Sequence, residues 1–221
     1  MISAGRTTTR TAPLALARRA LSYELGMWRS LYRWVLRRPL VSGTGAVPFR
    51  YAATLTPVFL AFIGVSAIEI PILHLLLPWE AVRRIGDAVG AYGLFWMLGL
   101  LASMRVHPHV VGDSGLRVRH GAAVDFTIPW DAIETIGTRH RSVPSKRAIQ
   151  VERTESGQIL SVVILSQTNV EVTLRQPTTV ALPRGGFEPI SELRFYADDP
   201  SALAARARKH LTAGITGGAV G

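Results

Sequence analysis

The sequence contains no cysteine, which excludes disulfides, thiolate nucleophiles and cysteine-ligated metal sites. Lysine is nearly missing as well, with Lys146 and Lys209 standing against 23 arginines. Formal charge is missing from two long stretches. Between Ala52 and Pro78 only Glu69 is charged, and Ala88 to Met104 carries no charge at all. The first stretch exceeds the roughly 20 apolar residues with which a helix crosses a bilayer, and the second lies near the lower limit. No glycine-rich phosphate loop and no HExxH pattern is present. What remains is a chain that is 48% hydrophobic, with no visible catalytic motif and no implied cofactor or metal.

The two apolar stretches are joined by WEAVRRIGD (79–87), which is too short for a domain. They predict a transmembrane hairpin over residues 51–104, with spans at 52–78 and 86–104. The first span begins far from the N-terminus and behind many arginines, so it does not read as a cleavable signal. Arg18 and Arg19 lack the apolar segment that would follow directly in a twin-arginine signal. Residues 1–50 carry a net charge of +8, residues 51–104 of −1 and residues 105–221 of +3. Basic residues collect on the cytoplasmic side of membranes, so both termini are expected in the cytoplasm and the protein in the inner membrane. Tyr51 and Trp79 bracket the first span, where aromatic rings anchor at headgroups.

Residues 1–13 are threonine-rich and are expected to be disordered. Residues 14–50 form a juxtamembrane segment in which Leu14 to Arg38 reads as a helix stopped by Pro39. At 100° per residue, Arg18, Arg19, Arg29, Arg33 and Arg37 fall within an arc of about 100°, away from Leu21, Leu25, Trp28, Tyr32 and Val35. A basic face opposite aromatic and aliphatic residues is the pattern of a helix lying in the membrane interface, in contact with the bilayer and its anionic headgroups. Packing against the rest of the protein is the alternative.

After Met104 the apolar pattern changes to alternation with turn signals. Val106–Val111, LRVRH (116–120), VDFTIPW (124–130), AIQVE (148–152), QILSVVILS (158–166), NVEVTLR (169–175) and ELRFYA (192–197) read as about seven strands. A final helix opens at DDPSAL, with Asp199 as N-cap, Pro200 at the first helical position and Gly214 as a stop; a flexible tail occupies 215–221. The hairpin, the GDSG turn, LRVRHG, FTIPWDAIETIG and the closing ELRFYADDPSAL resemble the bacterial PH-like domain attached to membrane spans, of actinobacterial type. The resemblance implies an α+β membrane protein: an amphipathic helix, a hairpin, and a cytosolic PH-like β-barrel over 105–214 capped by an α-helix. It carries over no catalytic residue.

Several clusters are candidates for function. GDSG (112–115) is explained by a hairpin turn alone, since the surrounding residues of a serine protease are missing. His107 and His109, two apart, could share a strand face with His120 but lack a completing ligand for metal. RHRSVPSKR places Arg139, Arg141, Lys146 and Arg147 in one basic stretch that could touch lipid headgroups or a partner; no aromatics interleave, which argues against nucleic acid. Gly86, Gly90 and Gly93 mark a packing side of the second span. Within the hairpin, Glu69 and His74 are expected to face protein, with Trp96 near the depth of Glu69 and Tyr92 near that of His74 as hydrogen-bond partners. These features predict a non-enzymatic binding or assembly module that recognises a partner protein, its own copy, or lipid. The rival is an oligomeric transport or proton-coupled component using Glu69 and His74.

Overall fold

The computed structural model describes residues 12–38, 40, 43, 45–144, 147–154, 157–181 and 187–217. Helix α1 (Ala12–Val35) is followed by the short strand β1 (Val47–Phe49), then α2 (Leu55–Leu76) and α3 (Glu80–Val106). Eight strands follow: β2 (His109–Gly112), β3 (Gly115–His120), β4 (Val124–Ile128), β5 (Ile133–Ser142), β6 (Ile149–Thr154), β7 (Gly157–Val162), β8 (Gln167–Ala181) and β9 (Phe187–Phe195). Helix α4 (Pro200–Gly217) comes last.

Both α2 and α3 are long and apolar enough to cross a membrane. None of α2's described side chains is buried, so Leu60, Phe62, Val65, Ile68 and Leu75 form an exposed apolar surface. Water-soluble proteins rarely present such a patch. Pro71 lies inside α2 without ending it. The expected nine-residue loop is in fact residues 77–79, because Glu80 already begins α3. Helix α3 would measure roughly 40 Å at 1.5 Å per residue, more than the ~30 Å of hydrocarbon it would cross. The surplus reaches the junction with the β-rich module, where Gly99, Leu101, Ala102, Ser103 and Val106 are buried, Gly99 against Met27 of α1 and Ser103 against the Gly121 turn.

Helix α1 runs parallel to α3. The hydroxyl of Tyr92 donates to Glu24, Met27 packs over Gly99, and the Arg105 guanidinium sits 5.8 Å from the Trp34 ring centre. A Cβ at Gly99 would stand 2.8 Å from Met27 Cγ, so the missing side chain sets how closely the two helices approach. This corrects the expectation of a helix held by lipid alone. Leu21, Leu25, Tyr32 and Val35 nevertheless stay exposed beside Arg18, Arg29 and Arg33. The packing face of α1 is thus separate from an outer face that carries both apolar and basic residues. Of the stretch expected to be disordered, Ala12 and Pro13 are helical and residues 1–11 lie outside the described residues.

The expected single closed barrel is instead two sheets. One has strand order β1-β2-β3-β4, and the other β5-β8-β9-β7-β6. All pairings are antiparallel except β7 with β9. Nine strands appear among the described residues rather than seven, the additions being β1 and β5. The core lies between the sheets, where Leu116, Val118 and Ile128 meet Leu160, Leu193 and Phe195. Leu203, Ala204 and Ala207 of α4 close that core. Asp199 caps α4 as expected, its Oδ1 accepting the Ala202 N–H at 2.9 Å, but the helix runs through Gly214 to Gly217.

The GDSG turn has a steric explanation. Gly115 has φ +139°, and a Cβ there would stand 2.3 Å from the Ile128 carbonyl oxygen. A Gly115→Ala substitution should therefore lower stability by about 1–3 kcal/mol, measurable as a reduced thermal midpoint in detergent. A neighbouring Ser114→Ala change should leave it nearly unaltered.

Candidate functional site

The helices and the β-rich module meet at a polar junction. Buried Arg119 donates from one guanidinium nitrogen to the Leu40 carbonyl at 2.6 Å and from Nε to Asp125 at 3.2 Å. Arg117 holds the same carboxylate in a two-pronged contact at 2.6 and 2.7 Å. Burial works to raise the Asp125 pKa, but the two arginines outweigh it and hold the carboxyl below its usual range. Tyr51, fully buried, accepts the Gly121 N–H at 2.7 Å, and burial pushes its phenol pKa up. His109 accepts the Arg119 N–H on Nδ1 at 3.1 Å, so Nε2 is the donor to the Tyr196 carbonyl at 2.9 Å. Asp198 accepts the Ala53 N–H, and its own N–H donates to the Arg50 carbonyl at 2.8 Å. These bonds fix the segments entering and leaving the hairpin.

A cavity of about 680 Å³, open to solvent on one side, lies at the junction. One wall is the end of α1, with Arg33, Arg37 and Arg38. The start of α2 supplies Arg50 and Thr56, and the end of α3 supplies Arg105. Five arginines and one carboxylate, Asp198, therefore line the cavity; burial raises the Asp198 pKa, and Arg50 opposes that rise. None of the five arginines has an ion-pair partner among the described residues. Arg105 also donates to Thr56 Oγ1 at 3.2 Å, which links α3 to α2 while its guanidinium covers Trp34 of α1.

The end of α1 has an unusual backbone. The Arg38 N–H bonds the Arg33 carbonyl at 2.8 Å and the Arg37 N–H bonds the Trp34 carbonyl at 3.0 Å. That pattern ends a helix with one left-handed residue, which is usually glycine. Here it is Arg37, with φ 53°.

The remaining candidates are dispersed. Arg33 and Arg37 line the cavity, whereas Arg18 and Arg29 are exposed elsewhere on α1. Arg139 and Arg141 lie on β5 and not in a loop, and Arg141 pairs with Glu171 at 2.9 Å. Arg147 follows that strand at an exposed position, and Lys146 lies outside the described residues. The basic stretch is thus broken up by strand pairing. Arg38, Arg50, Arg105 and Asp198 were not expected. The available signal was that Arg50 immediately precedes the first apolar run and Arg105 immediately follows the second.

The hairpin differs from expectation in its pairings. His74 Nδ1 lies 2.7 Å from Asp87 Oδ2, near the turn, and Tyr92 is turned away toward Glu24. The short 77–79 turn brings Asp87 opposite His74, and the docking of α1 claims Tyr92. Glu69 has no hydrogen-bond or ion-pair partner among the described residues, and Trp96 does not pair with it. Glu69 lines a shallow groove of about 190 Å³ between the helices, together with Gly86, Gly90 and Gly93. Only Gly90 makes a close approach, where a Cβ would stand 2.7 Å from Ile70 Cγ1; nothing lies within 4 Å at Gly93. His107, His109 and His120 are not gathered by carboxylates, and no group able to hold a metal ion occurs among the described residues.

Burial lowers the His109 pKa to about 4 and also lowers those of His107 and His120. Between pH 4 and the unfolded value near 6.5, the unfolded chain binds more protons than the folded one. Stability should therefore be full above pH 6.5 and fall as pH drops toward 4. The contribution of His109 is about 3 kcal/mol at most. Thermal midpoints across that window, with a flatter slope for His109→Gln, measure it.

No protein-family model, no curated protein and no solved structure matches this chain.

Proposed function

We propose that this chain is an integral inner-membrane protein whose PH-like module is a non-enzymatic binding and assembly unit at the cytoplasmic face. One observation carries the reading: α3 passes without a break from an exposed apolar portion to buried last turns, where Ser103 abuts the Gly121 turn of the module and the Val106 carbonyl accepts the Leu40 N–H. An anchor built this way holds the sheets at a fixed distance and orientation below the bilayer. The two packed sheets closed by α4 support the PH-like assignment, with closure supplied by packing where a barrel would use hydrogen bonds.

Charge placement supports the orientation. Arg33, Arg37, Arg38, Arg50 and Arg105 all gather at the module end of the hairpin. The opposite end holds Glu80 paired with Arg84, and His74 paired with Asp87. Such asymmetry favours a cytoplasmic module and C-terminus, while α1, parallel to α3, directs its own N-terminal end toward the Glu80 end of the hairpin. The module would recognise a partner protein, a second copy, or lipid. The rival transport reading rests on Glu69, which stands in its groove without a partner among the described residues. Two helices enclose no pathway, so that reading needs an oligomer, and a monomer by size analysis in detergent would remove it.

Anchoring and orientation are tested together by single cysteines, since the chain has none. The protein should stay with membranes through alkaline carbonate washing. Glu80→Cys should react with an impermeant thiol reagent in spheroplasts, and Ser142→Cys only after lysis. Release by carbonate, or the reverse labelling, contradicts the proposal.

A further inference from the structure

We propose that the five-arginine cavity at the helix junction is a binding site for a phosphate-bearing anion, supplied by the headgroup of an anionic phospholipid. The choice of lipid over free phosphate rests on the membrane reading above; the anion site itself does not.

The electrostatics come first. Arg33, Arg37, Arg38, Arg50 and Arg105 line one cavity with a single carboxylate, and none of the five has an ion-pair partner among the described residues. Converging like charges repel, and a bound anion relieves that repulsion. Guanidinium groups also match phosphate oxygens in a two-pronged geometry that ammonium groups cannot supply.

The backbone gives an independent indication. Arg37 occupies a left-handed position that costs a residue with a side chain about 1–2 kcal/mol and costs glycine nothing. Its side chain lines the cavity. A strained position filled by the costlier residue is a reason to look for function there.

Size and position favour a headgroup. At about 680 Å³ the cavity is far larger than one orthophosphate needs. It lies where α2 begins and α3 leaves its apolar portion, the level of headgroup phosphates if these helices span. Val35 lines it, and the exposed Leu21, Leu25 and Tyr32 lie farther along α1, offering an apolar track for an acyl chain. The site is outside both sheets.

The test uses the full chain in neutral detergent and reads the thermal midpoint. Soluble dioctanoyl phosphatidylglycerol should raise it in a saturable, salt-sensitive way, while dioctanoyl phosphatidylcholine should have a much smaller effect. Inorganic phosphate at equal concentration should not match the anionic lipid; if it does, the anion site stands and the lipid source is overturned. Arg37→Gly separates binding from folding. It should leave the ligand-free midpoint unchanged or higher, because the backbone cost is removed, yet weaken lipid affinity roughly tenfold. Arg50→Gln should weaken it similarly, and Arg139→Gln on β5 should not. No shift with either anion, or shifts in Arg37→Gly and Arg50→Gln as large as in the unsubstituted chain, overturns the proposal. Saturable binding by a protein that carbonate strips from membranes would sink the anchoring and keep the site.

Discussion

The burial of the last two turns of α3 where helix α1, the Leu40 segment and the Gly121 turn of the β-rich module converge is the constraint on which the other features depend. Gly99, Leu101, Ala102, Ser103 and Val106 are enclosed while the helix farther toward Glu80 is apolar and mostly uncovered. One continuous helix therefore belongs to two environments. Because a helix is stiff over this length, the module cannot swing freely against the hairpin. The seat for α1 follows from the same burial, since Gly99 provides the gap that Met27 fills.

Polar groups secure that arrangement at the point where apolar packing alone would be weakest. Arg119 ties the Leu40 linker to β3, Tyr51 ties the entrance of α2 to the Gly121 turn, and Asp198 ties Ala53 to the last strand. Two of these bonds join the entrance of the hairpin to the module, and the Arg119 bond joins the linker after α1 to it. His109 is hydrogen-bonded on both ring nitrogens, and its burial keeps it neutral and makes the junction sensitive to acid. Five of the arginines that take no part in these bonds line the cavity. The same chain ends that had to converge for packing thus carry the positive charge to one place.

Much of this was legible in the sequence, for particular reasons. The absence of charge from Ala52 to Pro78, apart from Glu69, marked α2 almost to its ends, and Asp199 with Pro200 marked the start of α4. Strand β5 was hidden because Arg139, His140 and Arg141 read as a basic loop, whereas pairing with β8 makes it a strand. Strand β1 has three residues, too few for a pattern. The partners of His74 and Tyr92 depended on a turn three residues long and on the docking of α1, neither of which has a local signature. The cavity was out of reach for a related cause: its arginines are spread from Arg33 to Arg105, and only the convergence of three helix ends unites them.

The central claim is that α1 and α3 form one unit, parallel and in contact, which shapes the junction. The cysteine-free chain allows a direct measurement. Trp28→Cys combined with Tyr92→Cys places thiols where the two rings now lie 6.4 Å apart. A short bismaleimide applied to membranes should join them quickly, and a Leu25→Cys, Tyr92→Cys pair, with Leu25 on the exposed face, should react far less. Equal reaction of both pairs, or none in the first, would contradict a docked α1.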